Sequence, residues 1–114
     1  MNITIRTLDG FDKSIRQLSK KYYSLSNDLK QLKSELITNP LLGTDIGQGL
    51  RKVRMAITSK NKGKSHGARV ITHVIISIED TIITLLAIYD KGKRDTVSDS
   101  ELVSLIAKMY EELP

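Results

Sequence analysis

One spacing of apolar residues occurs twice in succession near the start of the chain. Phe11, Ile15, Leu18 and Tyr22 fall at i, i+4, i+7 and i+11, and Leu25, Leu29, Leu32 and Leu36 repeat those intervals. The pattern marks one face of a 3.6-residue helix, so it predicts two amphipathic helices back to back. Asp9 is placed to cap the first, and Ser24 or Ser26 to open the second. Asn39-Pro40 stops the second, because the Pro ring disfavours helical geometry in the residue before it. Helices joined so tightly form an antiparallel hairpin, and their two apolar stripes require a sheet to lie on.

The rest of the chain supplies the sheet. Ile3 and Ile5 alternate with Asn2, Thr4 and Arg6 and predict a short first strand. The stretch from Leu42 to Gly49 holds Gly43, Gly47 and Gly49, which break any period and predict a loop. Three strands are predicted next, from Leu50 to Ile57, from Ala68 to Ile78 and from Ile82 to Tyr89. The polar run from Thr58 to Gly67 joins the first two, and Glu79-Asp80-Thr81 turns between the last two. The third strand is almost continuously apolar, as an interior strand would be. Ser98-Asp-Ser-Glu101 is a capping box, with Leu102, Leu105, Ile106, Met109 and Leu113 inward on the helix it opens. The predicted order is β-α-α-β-β-β-α, an α+β fold with an antiparallel sheet packed against an N-terminal helical hairpin and followed by a C-terminal helix. A chain of 114 residues has room for one core, so residues 1–114 read as a single domain.

Composition excludes several kinds of chemistry. With no cysteine there is no disulfide, thiolate metal site or thiol nucleophile. His66 and His73 have no carboxylates beside them in the sequence, so no metal and no cofactor are expected. One Phe, four Tyr and no Trp argue against an aromatic stacking platform for bases. No apolar run approaches the roughly 20 residues that cross a bilayer. Nor does the N-terminus carry a secretion or transit pattern, so no membrane contact and a cytoplasmic location are expected.

The net charge of +5 is unevenly distributed. Met1 to Asp45 carries seven Lys/Arg against five acids, and Glu79 to Pro114 carries four against eight. Between them, Ile46 to Ile78 carries seven Lys/Arg and no acid. Solvated surfaces mix both signs, so this segment is either an anion-binding surface or a lysine-rich solvated loop.

Strand alternation sorts these cations between faces. Val53, Met55 and Ile57 must face the helices, which turns Lys52 and Arg54 the other way. On the next strand Ala68, Val70, Val74 and Ile76 share one face, and Arg69, Ile71, His73 and Ile75 the other. If these strands pair, Arg69 can join Lys52 and Arg54, with Lys60, Lys62 and Lys64 in the loop above; the register is open. Several cations around one phosphate suit RNA cleavage without a metal. Arg clamps a phosphate bidentately, and Lys crowded by other cations can act as base or acid. Backbone binders without activity also gather Lys and Arg. His73 is either a packing residue or a general acid/base. Lys91 either reaches the basic surface from the strand end or belongs to a solvated turn.

Three blocks resemble the RelE/ParE superfamily of type II toxin–antitoxin toxins, most closely its HigB-like and RelE-like branch. They are Gly49-Leu-Arg-Lys-Val-Arg-Met-Ala56, Gly63-Lys-Ser-His-Gly-Ala-Arg-Val-Ile71 and Ile88-Tyr-Asp-Lys91. The helical hairpin, Asn39-Pro40-Leu-Leu-Gly43 and Ser98-x-x-Glu101-Leu extend the likeness over nearly the whole chain. The resemblance implies an mRNA interferase, a ribosome-dependent endoribonuclease that cuts mRNA in the decoding site of the 70S ribosome and inhibits translation. It also implies a cognate antitoxin, often of the helix-turn-helix type. Carried over by position, Lys52, Arg54 and Arg69 match the basic residues of the sheet, Lys64 the loop lysine, and Lys91 the basic residue after the last strand. Arg54 and Arg69 are then phosphate clamps, Lys52 or Lys64 the candidate base and Lys91 the candidate acid; Arg51, Lys60, Lys62 and His73 are candidate RNA contacts. His66 stands where relatives often carry Gly, and Arg51 and His73 where an aromatic is common, which leaves few rings to stack on a base. Alternative readings are a non-enzymatic ParE-like DNA gyrase inhibitor and a catalytically inactive RNA- or antitoxin-binding protein.

Overall fold

The computed structural model describes residues 2–112. Strand β1 (Asn2–Thr7) leads into helices α1 (Asp9–Lys21) and α2 (Leu25–Thr38). Strands β2 (Thr44–Gly47), β3 (Leu50–Met55), β4 (Ala68–Ile76) and β5 (Asp80–Asp90) follow, and helix α3 (Asp99–Glu112) ends the described chain. Two short 3-10 turns, Thr58–Lys60 and Lys64–His66, lie in the loop between β3 and β4. The fold is α+β, with one five-stranded sheet ordered β1-β5-β4-β3-β2.

Both helices run over the predicted residues with their stripes on the sheet: Phe11, Leu25, Leu32 and Leu36 are buried with Val53, Met55, Val70, Ile83 and Leu85, and Ile15, Leu18, Tyr22 and Leu29 pack half-buried beside them. Helix α3 covers part of the opposite face, where Met109 packs with Leu8, Leu50, Ile71 and Leu86. Leu113, also predicted to point inward, lies outside the described residues. The capping box forms as predicted: the Glu101 N–H donates to Ser98 Oγ (3.2 Å) and the Ser98 N–H to Glu101 Oε1 (3.3 Å). Among the described residues no helix is long and apolar enough to cross a membrane.

Four features depart from the sequence reading. First, the sheet is mixed rather than antiparallel, because β1 pairs with β5 in parallel, Ile3 opposite Thr81 and Ile5 opposite Ile83. Period-2 alternation is the same for either direction, so it does not show which way β1 runs beside β5. Second, the predicted glycine loop contains β2, an edge strand with Thr44 opposite Lys52 and Asp45 opposite Arg51. Gly43 (φ +95°) permits this approach, since a Cβ there would stand 2.5 Å from the Lys52 carbonyl oxygen. Third, Asp9 lies inside the first turn of α1 and not at its cap, and its N–H donates instead to Glu112 Oε1 at the far end of α3 (2.8 Å).

The fourth difference positions the functional face. Ile71 pairs with Ala87 but Thr72 pairs with Leu85, which leaves Leu86 as an extra residue on β5. This bulge reverses the alternation. Ile83 and Leu85 face the helical hairpin, Leu86 enters the α3-side core, and Ile88 returns to the hairpin side. Asp90 therefore lies on the hairpin side, while Tyr89 and Lys91 are aimed at the other face.

Candidate nucleic-acid interface

The β3–β4 register decides how the cations meet. Arg54 stands directly opposite Arg69, and Lys52 opposite Ile71. Directly opposed residues of an antiparallel pair have Cα atoms about 4.5–5.5 Å apart, and like charges there repel. Arg69 is only 5% exposed, and its guanidinium donates to three backbone carbonyls: Lys64 (3.0 Å), Ala68 (3.1 Å) and Ser65 (3.1 Å). Burial, and then the charge of Arg54, pull Arg69 below the usual arginine range. Arg54 is exposed and Lys52 half-buried; neither makes a side-chain hydrogen bond or a close ion pair among the described residues, although the charge of Lys52 reaches Asp95.

These side chains line one open cleft of about 520 Å³. Lys52, Arg54, Lys64, Arg69 and Lys91 all contribute to it, with Gly43, Thr44 and Ile46 of the β2 segment as a wall. The structure thus brings together all five residues that the sequence assigned to chemistry. Lys64 reaches across to Glu35 of α2 (3.5 Å). Lys91 is paired with Asp95, four residues on, and its backbone N–H is held by the Gly67 carbonyl (3.0 Å).

The four candidate RNA contacts do not join the cleft. The Arg51 side chain is tied to the carbonyls of Leu42 (3.3 Å) and Gly43 (2.8 Å), where it fastens the start of β2. Lys60 lies on the hairpin side, bound to Asp90 Oδ1 (2.5 Å) and to the His66 carbonyl (3.0 Å) and placed over the Tyr22 ring. Lys62 is exposed beside His66 and Lys60, in a second hollow that shares Lys91 with the cleft. His73 is 8% exposed and sits four residues along β4 from Arg69, about 13 Å at strand rise. Burial pushes its imidazole below the usual range, and Gly49 packs against the ring. His73 is thus buried away from the cleft, and its Nδ1 has no hydrogen-bond partner among the described residues.

No protein-family model matches the chain.

Three groups that the sequence reading did not single out hold the cleft in shape. Asp90, 4% exposed, accepts from Tyr22 Oη (2.5 Å), Lys60 Nζ (2.5 Å) and the Gly92 N–H (2.8 Å). Burial alone would raise its carboxyl, but the hydrogen bonds from Lys60, Tyr22 and Gly92 outweigh it and hold the group at about 2. Asp28 of α2 accepts from the Thr58 N–H (3.0 Å), the Thr58 hydroxyl and Ser24 Oγ (2.8 Å). Together with Arg69, these carboxylates fasten the Thr58–Gly67 loop at three points, and the loop in turn carries Lys64 to the cleft. The third group, Asp95, is the one acid among the described residues that line the cleft. It lies four residues from Lys91 but in a turn, where that spacing does not by itself bring side chains together. The contacts by which Asp28 and Asp90 hold the loop were equally hidden, because Thr58 and Lys60 each lie 30 residues away from them.

The arrangement can hold an anion. Four of the five cations in the cleft have no hydrogen-bonded carboxylate within it, and the fifth, Lys91, has one. An approaching phosphate offsets the Arg54–Arg69 repulsion, which the folded protein otherwise bears.

Proposed function

We propose that this protein is a RelE-type toxin that cleaves mRNA on the ribosome. The observation that carries the reading is the Arg54–Arg69 cross-strand pair with Lys52 beside it in one cleft. The sequence blocks that resemble the HigB-like and RelE-like branch are the ones that supply these residues, and their pairing in register supports the likeness. The mixed α+β sheet backed by a helical hairpin is compatible with it.

In this reading the phosphate of an RNA strand lies against Arg54, whose guanidinium is free to fork onto two of its oxygens. Arg69 adds positive potential from below while its own donors hold the Lys64–Ser65 backbone. The ribose 2′-oxygen attacks the adjacent phosphorus, and the bond from phosphorus to the 5′-oxygen breaks. The products are a 2′,3′-cyclic phosphate and a free 5′-hydroxyl. The 2′-hydroxyl proton passes to a base, with Lys52 the candidate because it is unpaired and adjacent to both arginines. The leaving 5′-oxygen takes a proton from an acid, with Lys91, just past the end of β5, the candidate. Cations packed around the phosphorane stabilise its charge as it develops. The 70S ribosome supplies the mRNA in the decoding site, and a cognate antitoxin masks the basic face.

Primer extension on mRNA held in programmed ribosomes tests the reading. Wild-type protein should cut within the decoding site, and Arg54→Ala should reduce cutting by 100-fold or more, on the order of the loss of one transition-state donor. Intact mRNA with folded wild-type protein on the ribosome rejects the nuclease reading and turns attention to the gyrase inhibitor, which a supercoiling assay examines.

A further inference from the structure

We infer that Asp95 selects ribose over deoxyribose by accepting a hydrogen bond from the 2′-hydroxyl of the nucleotide that carries the leaving 5′-oxygen, on the side of the cleft where its partner Lys91 lies. The inference rests on the RNA reading above and names the residue that distinguishes RNA there.

The chemistry of the lining leads to it. Lys and Arg side chains are donors with no acceptor, and an ionised carboxylate is an acceptor with no donor. A ligand complementary to this lining brings anionic oxygens for the cations and a donor, such as a hydroxyl, for the carboxylate oxygen that Lys91 leaves open. RNA places a 2′-hydroxyl next to every 3′-phosphate; DNA has the phosphate alone, and the hydroxyl is what separates the two at a protein surface. Without the hydroxyl, the sugar-phosphate backbone offers Asp95 no donor.

Asp95 is held in position for this role. Its backbone carbonyl accepts from Tyr89 Oη (3.4 Å), and its Oδ1 accepts from Lys91 Nζ. Oδ2 has no hydrogen-bond partner among the described residues, and the side chain is 86% exposed, so an acceptor faces the ligand. The hydrogen bond from Lys91, its charge, and more weakly the charge of Lys52 keep the carboxyl below the usual range, so it stays ionised at neutral pH. The bulge at Leu86 aims Tyr89 and Lys91 to this face, which explains why a turn residue reaches the cleft of β3 and β4.

The test compares three fluorescein-labelled oligonucleotides of one sequence by anisotropy at low salt: RNA, its 2′-O-methyl form and DNA. The 2′-O-methyl strand keeps RNA-like geometry but cannot donate. Wild-type protein should bind RNA about tenfold more tightly than 2′-O-methyl RNA, the size of one hydrogen bond to a charged group. Asp95→Ala should bring that ratio close to one, while Asp95→Asn, whose amide oxygen still accepts, keeps part of it. If Asp95 acted only as a negative charge, Asp95→Ala would strengthen all three complexes equally and leave the ratio unchanged; that result overturns the inference while RNA binding stands. Wild-type protein that binds RNA without discrimination also overturns it. Failure to bind any of the strands rejects both this inference and the RNA reading beneath it.

Discussion

Arg54 and Arg69 are paired across the strands yet have opposite relations to the fold. Arg69 is buried, and three carbonyls depend on its donors. Truncating it leaves those carbonyls to find water and frees the Lys64–Ser65 backbone, so Arg69→Ala should destabilise the protein by about 2 kcal/mol. Arg54 contributes only repulsion to the folded state, and Arg54→Ala should leave stability unchanged or raise it by about 0.5 kcal/mol. Urea unfolding of both variants checks the contrast, and a larger loss for Arg54→Ala would reverse the roles. The practical consequence is that lost cleavage in Arg69→Ala alone cannot be assigned to a phosphate contact. Asp90 extends the residue-scale argument to pH. Its carboxyl sits at about 2 in the fold against about 3.9 in an unfolded chain. The lower folded value means that its contribution, about 2 kcal/mol, is complete above pH 4 and disappears as the pH falls towards 2. Asp90→Asn should lose that amount already at pH 7 and show a flatter decline in melting temperature between pH 4 and 2. A variant with wild-type stability at neutral pH would show that Tyr22 and Lys60 gain nothing from the carboxylate.

Among the elements, the β3–β4 hairpin depends most on close backbone packing. Gly67 lies where the loop returns to β4, and a Cβ there would press on the Met55 carbonyl and come within 2.9 Å of the Ile57 nitrogen. Neither neighbour is a flexible side-chain end, so Gly67→Ala should force the strands apart and cost about 3 kcal/mol. Gly10, on α1, meets nothing within 4 Å, and Gly10→Ala should stabilise by about 0.5–1 kcal/mol through helix propensity and a less disordered unfolded chain. Denaturant melts of the pair measure the difference, and equal effects would mean that the approach at Gly67 relaxes at little cost. These elements also show what could be read in advance. The helix stripes and the facing of Lys52, Arg54 and Arg69 follow from periods of 3.6 and 2, which the sequence displays directly. The bulge at Leu86 could not be read, because an almost continuous apolar run has no alternation for an extra residue to disturb. Strand β2 was hidden for another reason: three glycines in eight residues resemble a loop whether or not the backbone pairs. Side chains such as Arg51 and Lys60 looked like free cations because their acceptors, a carbonyl nine residues away and a carboxylate across the fold, come near only after folding.

At the scale of the whole molecule, the acid-free segment from Ile46 to Ile78 is divided by the sheet. Lys52, Arg54, Lys64 and Arg69 reach the cleft, while Lys60 is turned to the hairpin side and neutralised by Asp90. Net charge counts these cations alike, but counterion release does not. Each cation that neutralises a phosphate of single-stranded RNA adds about 0.7 to the slope of log affinity against log salt. Arg54→Ala should therefore lower the slope by roughly 0.7, and Lys52→Ala by a similar amount. Lys60→Ala removes the same formal charge but should leave the slope within error of wild type, because its ammonium already has a carboxylate partner inside the protein. Anisotropy titrations of a labelled oligoribonucleotide between low and physiological salt supply the slopes, with circular dichroism confirming that each variant is folded. A Lys60→Ala slope reduced as far as that of Arg54→Ala would mean that RNA reaches the hairpin side as well, and that the binding face extends beyond the cleft. Equal slopes for all variants would leave the cleft with no phosphate contact, and its cations would then serve the fold or a protein partner.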